Sequence, residues 1–132
     1  MIHLDTNCLI GLAVPGSRVA TEVDEWLGAG HSLAVSAIVW SEFLNGPVTP
    51  EESRRIEAVV QANIRPFGAL EAAKSADLFN RSGRLRGSRI DCFIAATAMV
   101  EAAEMATVNQ ADFKPFVALG LKLIAPKDTD SV

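Results

Sequence analysis

The sequence predicts an α/β protein, built as a three-layer α/β/α sandwich around a mostly parallel sheet of four or five strands. Two observations predict this fold. Short apolar runs alternate along the chain with longer segments of helical periodicity, as in strands joined by crossover helices. The 132 residues are 49% hydrophobic and 21% charged, which suits one globular domain with a single core. We expect this domain to span residues 1–126, ahead of a polar tail over residues 127–132.

Capping signals divide the first half of the chain. Ser17 can cap one helix, and Thr49 caps another, with Pro50 at its first position and Glu52 completing a capping box. The predicted elements are, in order, a strand over residues 1–5, a turn at 6–7, a short helix over 8–12, a helix from Ser17 to Gly28, a strand over 32–36, a helix over 37–44 and a helix from Thr49.

The second half predicts a similar alternation. Pro66 cannot donate a ladder hydrogen bond, so its strand is expected at an edge of the sheet. The alanine-rich stretch from Arg89 to Glu104 predicts the longest helix. The predicted elements are a strand over residues 64–67, a helix over 69–80, a loop over 81–88, the helix over 89–104, a strand over 106–108, a turn at 109–112 and a strand over 119–125.

Composition excludes some classes of protein. No uncharged apolar run reaches about 18 residues, and no basic region precedes an apolar core at the N-terminus, so we expect neither a membrane span nor a signal peptide. Cys8 and Cys92 lie in apolar segments outside any zinc pattern, which favours reduced thiols and a cytoplasmic protein. The net charge of −4 gives no global argument for nucleic-acid binding, which local charge decides.

Three carboxylates stand among apolar residues: Asp5, Glu42 and Asp91. A buried carboxylate needs a partner, and few cationic residues lie near these three along the chain. A shared divalent cation is the simplest partner, and it indicates metal-dependent hydrolysis, most often of a phosphodiester. Each acid alone has an ordinary explanation: Asp5 as a helix cap, Glu42 as a solvated helix-edge residue and Asp91 as a favourable first-turn acid.

The predicted topology brings these residues to one place. In a parallel α/β sheet, sites form beyond the carboxyl ends of the strands. Asp5 ends the first strand, and Thr107 and Asn109 stand at the end of another. Glu42 and Asp91 lie on helices that can reach the same edge. Neither His3, within the first strand, nor His31, in a loop, is expected to act as a general base.

Four segments carry a family resemblance: Leu4–Ile10, Ser41–Phe43, Arg89–Ala98 and Thr107–Phe113. In order, spacing and total length they resemble the PIN-domain ribonucleases, and most closely the VapC toxin branch of bacterial toxin–antitoxin pairs. The resemblance covers essentially the whole chain. It implies an endoribonuclease that depends on Mg²⁺ or Mn²⁺ and acts on structured RNA such as tRNA. It also implies a homodimer and a small VapB-like antitoxin as inhibitor.

The resemblance assigns roles to named residues. Asp5, Glu42 and Asp91 match the family's metal-binding acids; we expect Asp5 and Asp91 to be direct ligands and Glu42 a ligand or a water-orienting base. The fourth acidic position is open, because Asn109 carries no charge and Asp112 is the ionised candidate. Supporting roles are expected for three further residues, Thr6, Asn7 and Thr107, although turn or strand chemistry alone also explains them.

Four arginines fall within nine residues just before Asp91: Arg81, Arg84, Arg86 and Arg89. We expect Arg84, Arg86 and Arg89 to hold RNA phosphates beside the metal. A solvated loop in which Arg89 pairs a carboxylate is the alternative, and an inhibitor entering the site would also suit these charges.

Two other functional classes are compared with this prediction. A phosphatase of the haloacid dehalogenase type needs a second aspartate where Asn7 stands, so it is disfavoured. A non-catalytic PIN-like module that binds RNA or protein is the alternative, motivated by the uncharged Asn109.

Overall fold

Five parallel strands organise residues 1–126, the part of the chain that the computed structural model describes. The strands are β1 (Ile2–Leu4), β2 (Leu33–Ser36), β3 (Ile64–Arg65), β4 (Glu104–Ala106) and β5 (Lys122–Ile124). Their order is β3-β2-β1-β4-β5, so β1 is central and every neighbouring pair is parallel. The predicted α/β architecture is confirmed, and the predicted tail over residues 127–132 lies outside the described residues.

Seven helices flank the sheet within residues 1–126: α1 (Thr6–Leu12), α2 (Arg18–Gly28), α3 (Ala37–Asn45), α4 (Pro50–Val59), α5 (Ala69–Arg81), α6 (Arg89–Val100) and α7 (Gln110–Val117). The predicted caps form. Ser17 Oγ accepts from the Ala20 amide at 3.0 Å, and Thr49 and Glu52 make the reciprocal capping box at 3.1 Å. The start of these helices is therefore encoded locally.

The core lies between the central strands and the apolar faces of the helices. Each strand of the β1–β2–β4 centre is almost fully buried, as expected for a parallel sheet covered on both faces. The largest buried side chains include Leu4, Leu9, Phe43, Leu78, Met105, Phe113 and Phe116. Both cysteines are free and buried. No helix within residues 1–126 combines the length and the apolar character needed to cross a bilayer.

Several predicted boundaries are wrong. The strand expected over 119–125 begins only at Lys122, and the strand expected over 64–67 ends at Arg65. The helix expected over 89–104 ends at Val100 because Ala102 adopts a left-handed φ of 53°, which turns the chain into β4 two residues earlier than expected. At 12 residues α6 is also shorter than α5, which has 13. The expected turns at 6–7 and 109–112 are helical from Thr6 and from Gln110.

Candidate metal centre

Asp5 lies at the carboxyl end of the central strand and is only 5% exposed. Its amide donates to the carbonyl of Ala106 at 2.9 Å, which extends the β1–β4 pairing by one residue. Both carboxylate oxygens are held: Oδ1 accepts from the Thr6 amide and Oδ2 from the Thr107 hydroxyl, each at 2.7 Å. Asp5 therefore caps α1 and is fixed in position, and no cationic side chain within residues 1–126 pairs with it.

Glu42 reaches the same edge from α3. The neighbouring Val39 and Phe43 are buried, whereas Glu42 itself is exposed, so it does not lie in an apolar environment as its sequence context suggested. Its Oε1 accepts from the Thr6 hydroxyl at 2.7 Å. Thr6 therefore joins two of the predicted acids, since its amide holds Asp5 and its hydroxyl holds Glu42.

Asp91 enters from the first turn of α6 and is half-buried. Burial raises its pKa to about 6, and the charges of Asp112, Asp5 and Glu42 add to that effect. The pKa of Asp5 is also raised, chiefly by burial and further by Glu42 and Asp112, against the hydrogen bonds from Thr107 and Thr6. The four acids therefore share one electrostatic environment at the carboxyl edge of the sheet.

Asn109 and Asp112, the two candidates for the fourth acidic position, are hydrogen-bonded to each other. The Asn109 amide donates to Thr107 Oγ1 at 2.9 Å, and its side-chain Nδ2 donates to Asp112 Oδ2 at 2.5 Å. Thr107 in turn donates to Asp5. Asn109 thus orients the exposed Asp112 carboxylate while its backbone supports the hydroxyl that holds Asp5. Asn7 is exposed in the first turn of α1.

The donor set suits a hard divalent cation, since burial and then the charges of the neighbouring acids raise the pKa of both Asp5 and Asp91. Within residues 1–126, however, no three His, Cys, Asp or Glu side chains are placed closely enough to enclose an ion. Mg²⁺ does not need such a cage, because it keeps several waters and takes one or two carboxylates together with a substrate phosphate. The residues present fit an ion held in that open manner.

The arginines before Asp91 are arranged around an aromatic ring. The guanidinium carbons of Arg84 and Arg89 lie 5.1 and 4.5 Å from the centre of the Phe79 ring. Arg84 also donates to the side chain of Asn80, and Arg81 contacts Asp77 at 3.4 Å. The role of Phe79 was not predicted, because it depends on contacts between the end of one helix and the start of the next.

His3 belongs to a separate polar group. It is 2% exposed, and its Nε2 lies 2.6 Å from Oε1 of Glu101; the other oxygen of Glu101 accepts from Arg65 Nε at 2.5 Å. Burial lowers the pKa of His3, against the hydrogen bond and charge of Glu101. We call His3, Glu101 and Arg65 the paired triad. The sequence did not indicate it, because its members are far apart along the chain.

Comparison with known proteins supports the family resemblance. A family model described as PIN domain matches residues 2–115. Among solved structures, a toxin–antitoxin complex from Klebsiella pneumoniae is 28% identical over 97% of this chain and 99% of that chain, with a TM-score of 0.72. No curated protein sequence matches the chain.

Two further structures share the fold at lower identity. FitAcB from Neisseria gonorrhoeae is 22% identical over 96% of this chain and 98% of that chain, with a TM-score of 0.73. VapBC2 from Rickettsia felis, bound to a fragment of its promoter DNA, is 23% identical over 95% and 98%, with a TM-score of 0.71.

Proposed function

The chain belongs to the PIN-domain family, and we propose that it is a metal-dependent endoribonuclease acting as the toxin of a toxin–antitoxin pair. The predicted family resemblance is confirmed. The proposal extends it to a reaction, the hydrolysis of RNA phosphodiester bonds, and to tRNA or another structured RNA as substrate.

One observation carries the proposal: four carboxylates at the carboxyl edge of the sheet interact with one another, and the hydrogen bonds of Asp5 come from neutral groups. Such an arrangement costs free energy in the isolated protein. A structural role would be served better by a paired or apolar residue. The cost is offset when a divalent cation binds, and a perturbed carboxylate at a strand end is typical of a functional site.

We assign Asp5 and Asp91 as direct ligands of Mg²⁺ or Mn²⁺, and Glu42 as a third ligand or as the base that orients water. Asp112, oriented by Asn109, acts through water. When bound, the ion supplies a water of lowered pKa and offsets charge on the reacting phosphate. Thr6 and Thr107 hold Asp5 in place, and Asn7 is proposed to support the same edge.

The proposed partners rest on the solved structures that resemble this chain and on its local charge. The Klebsiella structure is a toxin–antitoxin complex. By analogy, we propose a VapB-like antitoxin as inhibitor, a homodimer and a cytoplasmic location for this protein. Arg84, Arg86 and Arg89 are proposed to contact RNA phosphates, because the acids alone would repel a polyanion.

The test is cleavage of total bacterial RNA and of purified tRNAs by antitoxin-free protein, with Mg²⁺, with Mn²⁺ and with EDTA. We expect discrete fragments from the wild type in either metal, and none in EDTA or from Asp5→Ala. Glu57→Gln, which removes an exposed carboxylate on α4 away from the site, is the matched control and should cleave normally. Cleavage that persists in EDTA or in Asp5→Ala would overturn the metal mechanism.

A non-catalytic PIN-like module that binds RNA or protein is the second candidate. Two observations favour it: Asn109 is uncharged, and among the described residues no three ligands enclose an ion. Calorimetric titration with Mn²⁺ separates the two functions. Binding that Asp5→Ala and Asp91→Ala abolish supports the nuclease, whereas no binding, even with tRNA present, supports the module.

A further inference from the structure

The end of α5 places one arginine over an aromatic ring. The Ser82 amide donates to the carbonyl of Leu78 and the Arg84 amide to that of Phe79, each at 2.9 Å, while Gly83 has a φ of +100°. The bond from Arg84 to Phe79 is the six-to-one bond of a Schellman helix ending, a motif in which the residue after the glycine usually makes an apolar contact with the residue five positions earlier. Here that contact is the Arg84 guanidinium above the Phe79 ring.

The start of α6 places a second arginine on the same ring. Arg89, the first residue of α6, lies 4.5 Å from the ring centre, closer than Arg84 at 5.1 Å. Both distances are within the range of a cation–π interaction. Two guanidinium groups repel each other, and the negative face of the ring offsets part of that repulsion. Phe79 therefore holds together two cations from either side of the 82–88 loop.

Arg81 differs from Arg84 and Arg89. Arg81, on the last turn of α5, contacts the Asp77 carboxylate at 3.4 Å, so its charge is partly neutralised within the helix. The charges of Arg84 and Arg89 lie against an aromatic ring and the Asn80 amide group instead, which leaves them able to attract an anion.

The position of Arg89 on α6 fixes its direction relative to Asp91. Arg89 stands two residues before Asp91 on α6, and residues two apart point about 200° away from each other around a helix. Arg89 therefore points to the other side of α6 from Asp91, outside the acid cluster. A polyanion that approaches mutually repelling carboxylates needs positive charge close by.

From this arrangement, and resting on the proposed nuclease function, we infer that Phe79 is a positioning residue that holds Arg84 and Arg89 as a platform for an RNA phosphate other than the scissile one. The ring immobilises both side chains before RNA arrives, so less conformational entropy is lost on binding.

The test measures fluorescence anisotropy of labelled bulk tRNA in EDTA, where metal-dependent cleavage is absent, across a range of NaCl. Phe79→Leu removes the ring but keeps an apolar side chain, and should raise Kd about tenfold. Phe79→Tyr keeps the ring face and should bind as the wild type. Arg84→Ala and Arg89→Ala should each weaken binding and lower the salt slope by about 0.7–0.9. Arg81→Ala is the matched arginine control, with a smaller effect.

The dependence of the Phe79 effect on the arginines separates positioning from a merely structural role. In the Arg84→Ala/Arg89→Ala background, Phe79→Leu should have no further effect on Kd, because the groups it positions are gone. In the cleavage assay, Phe79→Leu should raise KM and leave kcat within about twofold. Thermal melts of every variant show whether a loss of tRNA binding is due to unfolding. If Phe79→Leu unfolds, the double-arginine variant and Phe79→Tyr still test the platform.

Several outcomes would overturn the inference. One is tRNA binding by Phe79→Leu equal to that of Phe79→Tyr; another is full additivity of Phe79→Leu with the double-arginine change. Binding of an oligoglutamate peptide that weakens in Phe79→Leu while tRNA binding does not would assign the platform to an acidic protein partner. These results are distinct from failure of the proposed function, which is metal-dependent cleavage that the wild type lacks or that survives Asp5→Ala.

Discussion

Two buried ionisable side chains lie only two residues apart: His3 within the central strand β1, and Asp5 directly after it. Their surroundings differ. His3 meets Glu101, whose second oxygen meets Arg65, so this paired triad is internally compensated. Asp5 meets the Thr6 amide, the Thr107 hydroxyl and the charges of other acids. The charge of His3 is thus balanced by partners in the isolated protein, whereas that of Asp5 is not. Incomplete compensation, and not burial alone, distinguishes the candidate metal centre from the paired triad.

The largest expected effect comes from changing Asp5, the acid whose charge is not compensated. Asp5→Asn retains the size and most hydrogen bonds of the side chain but removes a ligand charge. We expect the single-turnover rate of RNA cleavage to fall at least about a thousandfold, or about 4 kcal/mol of transition-state stabilisation, with an unchanged or higher melting temperature. Quenched-flow cleavage and a thermal melt check it. Loss of activity with loss of folding would instead make Asp5 a structural cap.

A substitution in the paired triad should lower stability and leave the rate of RNA cleavage unchanged. Glu101→Gln leaves buried His3 without its anionic partner and releases the half-exposed Arg65. We expect a loss of about 2 kcal/mol in the free energy of unfolding, below the range for fully buried pairs because solvent screens Arg65. Urea denaturation measures it. RNA cleavage per folded molecule should stay within about twofold; a large loss would tie the triad to the site.

Sequence reasoning succeeded where the signal is local. Thr49 and Glu52 form the predicted capping box because its partners are three residues apart, and the end of β1 places Asp5 where a parallel sheet forms its sites. The helix α7 was missed because Asn109 is typical of turns and Pro115 lies inside the helix.

Non-local pairing explains the other omissions. The paired triad joins residues 3, 65 and 101, and no periodicity connects positions so far apart. The contact of Arg84 and Arg89 with Phe79 depends on how α5 and α6 meet. The acids could be identified because carboxylates are unexpected in apolar segments, whereas a charge whose partner is distant resembles an ordinary surface residue.

The cost of burying Asp91 among other acids should be measurable. Its pKa rises from an ordinary 3.8 to about 6 in the folded protein, so the folded state binds more protons than the unfolded state between these values. Stability contributed by Asp91 therefore falls as pH rises from about 4 to 6 and is level above that. Asp91→Asn should stabilise the metal-free protein at pH 7 by about 1 kcal/mol, a value reduced for solvent screening of a half-buried group.

The measurement is urea denaturation of the wild type and Asp91→Asn at pH 4.5, 6 and 7.5, with EDTA and with Mg²⁺. Taking the difference between the two proteins removes the opposite trend expected from His3, whose lowered pKa makes stability rise with pH. We expect the difference to grow with pH in EDTA and to shrink in Mg²⁺. A difference that does not vary with pH would mean that burial and the neighbouring acids do not raise the pKa of Asp91 as the structure indicates.

The smallest expected effect concerns the backbone that presents Glu101 to the triad. Ala102 follows Glu101 with a φ of 53°, a conformation that costs an alanine roughly 1 kcal/mol or more and that glycine adopts freely. Ala102→Gly should raise the free energy of unfolding by about 0.5 kcal/mol, because relief of strain exceeds the added entropy of the unfolded chain.

Ala118, an exposed alanine that also follows a helix but with a φ of −63°, is the matched control. Ala118→Gly should lower stability by about 0.5 kcal/mol, since it adds unfolded-chain entropy and relieves nothing. Equal effects of the two changes in urea denaturation would show that this turn is unstrained and that Glu101 is held by its side-chain partners alone.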